Sequence, residues 1–308
     1  MQIIRAASEL PAGHRKVCGA IGFFDGVHLG HQQIIRQTIA DARQHEAAAL
    51  VITFDRHPST VVAPGRVPPL IYSPAQKLRV IASLGVDFLL LIRFDTEFSQ
   101  QPGDAFIREL ARDCGHVQSL CVGSNFTFGH QRSGNVALLR QLGAELKFVV
   151  RGLAAVALDG EPVSSTRIRQ AVRAGNLDLA SEMLGRAYSL SGIVVKGDGL
   201  GRQLGFPTAN LDTTGLALPP NGVYAVHAEV AGKSHRAALN IGFRPTLSRP
   251  EPRLQVETHL LDFDGDLYGQ EVEITFVEKL REEQKFSSRD ALCQQIARDI
   301  ALARTKFD

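Results

Sequence analysis

Along residues 17–150 short apolar runs alternate with stretches of helical period. Val17–Ile21, Leu50–Phe54, Phe88–Ile92, Leu120–Val122 and Lys147–Val150 read as strands, and Leu29–Arg43, Pro74–Leu84, Asp104–Asp113 and Val136–Leu142 as helices, each ending near a glycine or a polar turn. Such alternation predicts a doubly wound parallel sheet, which takes its ligands beyond the C-terminal ends of its strands. The first of those ends is Gly22. Residues Arg56–Ser73 hold Pro58, Pro64, Pro68 and Pro69, which argues against regular helix or a central strand and suits a flexible lid.

After Ser164–Gly185, which reads as two short helices, the pattern changes. Leu190–Val195, Val223–Val230, Arg236–Asn240, Leu254–Leu261 and Glu271–Phe276 are short, often alternating strands separated by Gly, Pro and Asp turns. They predict an antiparallel barrel, followed by a helix over Ser288–Arg304. The expected architecture is therefore two domains, 1–185 and 186–308, α/β first and β-barrel second. The length of 308 residues suits two domains, and no fixed-period repeat is visible.

Composition narrows the class. Hydrophobic residues at 44% and charged residues at 21% are ordinary globular usage. A net charge of +2 is too small for a nucleic-acid binder, so any nucleotide partner should be small. No apolar stretch approaches the 18 or so residues of a membrane span, and Met1–Lys16 lacks the apolar core of a signal peptide. A cytoplasmic protein without membrane partners is expected. Cys18, Cys114, Cys121 and Cys293 show no C-x-x-C spacing and read as buried thiols.

The segment Gly22-Phe23-Phe24-Asp25-Gly26-Val27-His28-Leu29-Gly30-His31 leaves the first strand and opens a helix. His28 and His31, at i and i+3, would share a face of the first helical turn, where backbone N–H groups and the helix dipole favour a phosphate. The alternative is an Asp25 helix cap with two solvated histidines. Val163-Ser164-Ser165-Thr166-Arg167-Ile168-Arg169 would likewise offer Ser165 and Thr166 as donors at a helix start and Arg169 as a guanidinium fork, or else serve only as a cap.

The first of these stretches resembles the H-x-G-H signature of the nucleotidyltransferase superfamily, and the second its I-S-S-T-x-x-R pattern. Thr53-Phe54-Asp55-Arg56-His57-Pro58 and Val122-Gly123-Ser124-Asn125-Phe126-Thr127-Phe128-Gly129 resemble further blocks of bacterial bifunctional riboflavin kinase/FAD synthetases. The resemblance implies that His28 and His31 stabilise charge on the α-phosphate of ATP. It places Gly22, Phe24, Asp25, Gly30, Ser165, Thr166 and Arg169 around the nucleotide and Asn125 near flavin and nucleotide. Phe126 and Phe128 could equally be core. Phe23 and Ser124 stand where the family more often has Asn and an acidic residue.

In the second half, Lys196-Gly197-Asp198-Gly199-Leu200-Gly201-Arg202 satisfies neither G-x-G-x-x-G nor a P-loop. Its continuation Leu204-Gly205-Phe206-Pro207-Thr208-Ala209-Asn210 resembles the G-F-P-T-A-N signature of riboflavin kinases. Alternate residues Thr208 and Asn210 would project oxygen ligands to one side of an extended segment, and such hard ligands suit Mg²⁺ held against ATP phosphates. The resemblance makes them metal and nucleotide ligands, with Gly199 and Gly201 in a flap above. It also makes Glu257, in Glu257-Thr258-His259, the base that deprotonates the ribityl hydroxyl, and Arg281 a flavin ligand. Asn240-Ile241-Gly242-Phe243-Arg244-Pro245-Thr246 follows in family order. Asp262, Asp264 and Asp266 lack the Glu of a calcium loop and read as a turn.

The implied chemistry is phosphorylation of riboflavin to FMN by the barrel and adenylylation of FMN to FAD by the α/β domain, with ATP as co-substrate and Mg²⁺ serving both. The partners implied are riboflavin, FMN, FAD and ATP, with weak self-association left open. The rival readings are a nucleotidyltransferase for another acceptor fused to a vestigial barrel, and a flavin-storage protein without turnover. The complete G-F-P-T-A-N block speaks against the first. The joint presence of His28, His31, Ser165, Thr208 and Glu257 speaks against the second.

Overall fold

A computed structural model describes residues 1–11, 13, 16–244 and 253–307. By internal packing the chain divides into two compact units: Met1–Pro69 with Pro74–Ser165, and Leu70–Ser73 with Thr166–Asp308.

The first unit is built on six parallel strands, β1 (Gln2–Ile4), β2 (Lys16–Ile21), β3 (Ala48–Phe54), β4 (Phe88–Ile92), β5 (His116–Gly123) and β6 (Val149–Leu153), in the order β1-β4-β3-β2-β5-β6. Strands buried on both faces read as continuous apolar runs, and β2 shows why. Val17 and Ile21 join Leu50, Leu90 and Ile107 on one side of the sheet. Cys18 and Ala20 join Val51, Leu89 and Ile35 on the other. The chain steps from β2 to β3 and β4 in one direction, and β5 then pairs on the opposite side of β2. That reversal opens a ligand crevice at the C-terminal ends of β2 and β5.

Helices α1 (Leu29–Gln44), α2 (Pro74–Ser83), α3 (Gly103–Cys114) and α4 (Val136–Leu146) connect the strands. The expected elements are present, with two shifts that have local causes. Helix α4 runs on to Leu146 because Lys147 takes the left-handed cap at φ 64°, which moves the following strand from 147–150 to 149–153. Strand β5 starts four residues earlier than its apolar run, since backbone pairing with β2 carries the polar segment from His116.

The proline-rich segment departs most from expectation. Ser59–Val62 forms one helical turn between Pro58 and Pro64, and the end of the expected lid is anchored within the second unit. There Ile71 and Tyr72 are buried. The Leu70 amide donates to Gly215, and the Ala217 amide donates to Leu70, both at 2.7 Å. Arg186 donates to the Tyr72 hydroxyl at 3.0 Å, and the Ser73 and Ser191 hydroxyls lie 2.8 Å apart.

The second unit continues with α5 (Ser165–Ala174), whose first residue closes the first unit, and α6 (Leu177–Leu184). A closed antiparallel barrel follows, of β7 (Ser189–Val195), β8 (Ala209–Asp212), β9 (Gly222–Val230), β10 (Lys233–Arg244), β11 (Arg253–Leu260) and β12 (Glu271–Arg281), in the order β7-β8-β11-β10-β9-β12. Its interior is filled by alternate residues such as Val226, Leu239, Val256 and Ile274. Helix α7 (Arg289–Arg304) closes the chain, capped by the Ser288 hydroxyl. Cys18, Cys114 and Cys121 are buried thiols, and Cys293 is half-buried.

One buried ion pair fixes the helix that carries the histidines. Asp41 of α1 accepts from Arg151 of β6 at 2.7 Å and from Gln37 at 2.8 Å. Burial pushes the Asp41 carboxyl up, but these hydrogen bonds outweigh it and hold the group below the usual carboxylate range. A lowered folded pKa contributes stability above the unfolded value that is lost as pH falls through the folded one. Asp41→Ala should therefore lower unfolding stability at pH 7 by about 2 kcal/mol, below the cost of breaking a fully buried pair because Arg151 is partly exposed. Urea titrations at pH 7 and pH 3 check this, since the gap between wild type and variant should narrow at the lower pH.

Candidate active sites

The crevice of the first unit is shaped by a turn that leaves β2 through left-handed backbone. Phe24, Gly26 and Val27 have φ of 55°, 74° and 42°. For a β-branched residue such as Val27 that region is strained, so the surroundings must hold it. Phe24 and Val27 are buried, Gln32 donates to the Val27 carbonyl at 2.9 Å, and Ser165 donates to the Asp25 carbonyl at 3.1 Å. Gly22 lies against the Phe24 ring, where a Cβ would sit 3.0 Å from ring carbons.

The turn delivers His28 and His31 together. Their rings stack with centroids 3.6 Å apart at 21°, and the Phe24 ring meets His31 edge-on at 5.3 Å. The cap of α1 is His28, not Asp25. Its Nδ1 accepts the His31 amide at 3.4 Å, so in the neutral ring the proton resides on Nε2. A Cβ at Gly30 would come within 3.4 Å of the His28 ring, which explains the glycine between the histidines. Two imidazoles and the opening amides of a 16-residue helix thus converge where an anionic phosphate is favoured.

Of the other residues expected here, Ser165 joins this turn through Asp25, whereas Thr166 is exposed and Arg169 half-buried further along α5. Asn125 is exposed in the turn after β5, at the same crevice. Phe128 belongs to the core, with Phe126 packed against that core and stacked on Phe128 at 5.3 Å. Sequence reasoning missed Thr53 and Lys77, which lie directly under the turn. A lone lysine in a helical stretch carries no signal for burial, because lysines are almost always exposed.

The barrel brings its expected residues to one cavity of about 310 Å³, which Gly199, Gly201, Thr208, Asn210, Glu257 and Arg281 help to line. In the sheet register Glu257 of β11 faces Asn210 of β8 on one side and Asn240 of β10 on the other. Directly opposed residues share a face, so the three polar side chains form a row across adjacent strands. Asn240 was not expected, and the register supplies the reason for its presence. The Asn210 Oδ1 is buried with no hydrogen-bond partner among the described residues. A Cβ at Gly197 would collide with the Asn210 side chain, and one at Gly201 would sit 2.9 Å from the Thr208 Oγ1, so the glycine-rich segment lies directly over both ligand candidates.

Arg281 lies on the wall of this cavity, but its fork is engaged. Nε and an η nitrogen donate to Asp299 of α7 at 2.9 and 2.7 Å, and Gln295 donates to the same carboxylate. Arg281 thus pins α7, whose Leu292 and Ile296 form apolar wall. Glu283 accepts from the Phe243 amide at 3.4 Å and from Asn221 at 3.3 Å. Pro245 and Thr246 of the neighbouring block lie outside the described residues.

A second cavity of about 270 Å³ shares Thr208 with the first and is bounded by Arg202, Thr258, Asp266 and Tyr268. Thr258 is fully buried, and its hydroxyl has no hydrogen-bond partner among the described residues. Asp262 is paired with Arg304 and Asp266 caps the Tyr268 amide, as befits a turn. No cluster of three or more His, Cys, Asp or Glu side chains fit for a metal occurs among the described residues.

Comparison with known proteins places each half. Residues 10–167 match the family model for FAD synthetase and residues 184–307 that for riboflavin kinase. The chain is 38% identical over 311 residues to the bifunctional riboflavin kinase/FMN adenylyltransferase of Escherichia coli K12, covering 100% of this chain and 98% of that one. It is 37% identical to the Pseudomonas fluorescens protein of the same description, covering 99% and 97%. Among solved structures it resembles that of a macrolide-efflux protein from Streptococcus pneumoniae, with a TM-score of 0.80 at 28% identity and 98% of each chain covered. No helix of the described residues is long and apolar enough to cross a membrane. Two family models in series and relatives of bifunctional description, covered over nearly their whole length, agree with a parallel α/β sheet followed by a closed barrel, and the chain belongs to the bifunctional riboflavin kinase/FMN adenylyltransferase family of enzymes.

Proposed function

We propose that the barrel phosphorylates riboflavin and that the histidine crevice of the first unit adenylylates the FMN so formed. The observation that carries the kinase assignment is the Asn210–Glu257–Asn240 row, set at a cavity that adjoins a second one across Thr208. The larger, apolar cavity suits the flavin ring and the smaller the nucleotide, so the reacting hydroxyl and γ-phosphate would meet at their shared wall. Glu257 takes the proton of the ribityl 5′-hydroxyl as its oxygen bonds to the γ-phosphorus and the bond to ADP breaks. Asn210 and Asn240 flank this carboxylate on the adjacent strands.

The orphaned Asn210 oxygen beside Thr208 fits a hard cation, and these two residues would hold Mg²⁺. When bound, the ion supplies charge neutralisation on the phosphates. With few protein ligands available, most of its coordination would come from phosphate and water, as is usual for Mg²⁺.

In the first unit, an FMN phosphate oxygen attacks the α-phosphorus of ATP and pyrophosphate leaves. His28 and His31 stabilise the charge that develops on the α-phosphate, together with the opening amides of α1. Ser165 keeps the turn in place through Asp25. Asn125, in the turn after β5, contacts the substrates from its rim, and Thr166 and Arg169 stay nucleotide ligands on the family resemblance alone. Arg281 serves the flavin site through Asp299 and α7. We place the functional boundary near Gly185, a reading supported by family matches that end at 167 and resume at 184. We further propose a cytoplasmic protein whose partners are these small molecules, without nucleic acid or membrane.

Assaying the two reactions separately on full-length variants tests this division. His31→Ala should cut FAD formation from supplied FMN by roughly 10²- to 10³-fold, the loss typical of one transition-state donor, and leave riboflavin phosphorylation intact. An unchanged FAD rate would overturn the role given to His31. Glu257→Gln should cut phosphorylation by roughly 10²- to 10⁴-fold while FMN adenylylation continues. Phosphorylation within about threefold of wild type, far short of that range, would remove Glu257 as the base.

A further inference from the structure

Beneath the strained turn lies a charge that neither reaction uses. Lys77 of α2 is 6% exposed, and its ammonium makes three hydrogen bonds: to the Phe23 carbonyl at 3.2 Å, the Phe54 carbonyl at 3.1 Å and the Thr53 hydroxyl at 3.3 Å. An ammonium has three donors, so all are spent inside the protein. Thr53 in turn donates to the Phe23 carbonyl at 3.1 Å, and the Lys77 Nζ sits 4.4 Å from the centre of the Phe23 ring. Phe23 is the last residue before the turn that holds the left-handed Phe24, Gly26 and Val27 and leads to His28, and Phe54 closes β3. One cation therefore joins the entry of the histidine turn to the end of the neighbouring strand.

We propose that Lys77 is a positioning residue for adenylyl transfer, holding the turn Phe24–Val27 in its left-handed path so that His28 and His31 meet the α-phosphate together. The inference rests on the assignment of adenylyl transfer to those histidines. Lys77 does not touch the reacting atoms, because its donors face backbone and Thr53. Burying an ammonium is costly, and a methionine would fill much the same space without that cost. Burial pushes the Lys77 pKa down to about 8, even though the carboxylates of Asp25 and Asp55 draw it up. A charge kept at such a site is a stability sacrifice of the kind found where function needs a fixed geometry.

The test uses full-length Lys77→Met, with both reactions and the melting temperature measured. FAD formation should lose about 10- to 100-fold in kcat, the scale set by displacement of catalytic groups by about an ångström. KM for ATP should stay within about threefold, phosphorylation should be unchanged, and thermal unfolding should remain cooperative. A folded variant that makes FAD within about threefold of the wild-type kcat overturns the proposal. His31→Ala, run alongside, separates the two failures: if it also leaves FAD formation intact, the histidine assignment is what fails.

If the methionine variant does not fold, wild type and Lys77→Arg decide through their pH profiles. The charged groups facing Lys77 are Asp25, in the turn, and Asp55, at the end of β3. Carboxylates as a class ionise far below the alkaline range. The kcat for FAD formation by wild type should fall as pH rises through about 8, where the ammonium loses a donor. Phosphorylation should not share that fall. In Lys77→Arg the alkaline limb should disappear, since a guanidinium stays charged. A flat wild-type profile from pH 7 to 9.5, or an unchanged limb in the arginine variant, overturns the proposal.

Discussion

The first unit depends on a backbone that must leave a fully buried strand, pass through left-handed residues and still present two imidazoles in contact. Three positive φ values within four residues, one of them at a valine, would relax if the turn stood alone. Side-chain groups reach it from several parts of the chain. Gln32 reaches back from α1, Ser165 arrives from the start of α5, and Thr53 and Lys77 act from β3 and α2. Each bond goes to a carbonyl of the turn, so the strain is borne by polar groups that are themselves buried or half-buried. The sheet supplies the reference frame, since β2 cannot move without disturbing pairing to both β3 and β5.

The barrel solves a related problem by a different device. Pairing in a closed sheet fixes register on both sides of every strand, so residues far apart in sequence become neighbours without any loop to hold them. Glu257 stands between Asn210 and Asn240 for that reason alone. What the barrel does not fix is its covering, which comes from the glycine-rich segment over Thr208 and Asn210 and from α7, pinned by Arg281 and Asp299. Rigid walls and a separately held cover suit a site that must admit a flavin and then exclude water.

Much of this was legible in the sequence because it rests on local pattern. Two-sided burial makes β4 apolar throughout and β3 apolar except for Thr53, and the helix between strands shows its 3.6-residue period, so the fold class follows from periodicity. The histidines and the Thr208–Asn210 pair were legible because their spacing already fixes a shared face. The rest depended on tertiary placement. Leu70–Ser73 sits in a proline-rich stretch that reads as a lid, yet its backbone and hydroxyl groups find partners in the second unit's packing. Arg281 is a flavin-ligand candidate through the family resemblance, and nothing local announces its ion pair with Asp299, 18 residues on. Asn240 needed a register, and Lys77 needed the packing beneath the turn.

Lys77 also shows how the cost of the site enters the stability of the whole unit. Its pKa is about 8 in the folded protein against an ordinary 10.5. A lysine whose folded pKa is depressed binds fewer protons folded than unfolded between those values, so stability rises with pH across that window. Below it the charged form is held at a loss of roughly 3 kcal/mol relative to a lysine that titrates normally, at about 1.4 kcal/mol per pKa unit. Asp41 works in the opposite sense, because its lowered pKa adds stability throughout the neutral range. The two buried charges therefore have separate physical purposes. The paired carboxylate fastens α1 to the sheet at a gain, while the buried ammonium ties the turn to the end of β3 through three hydrogen bonds at a desolvation cost that its lowered pKa records.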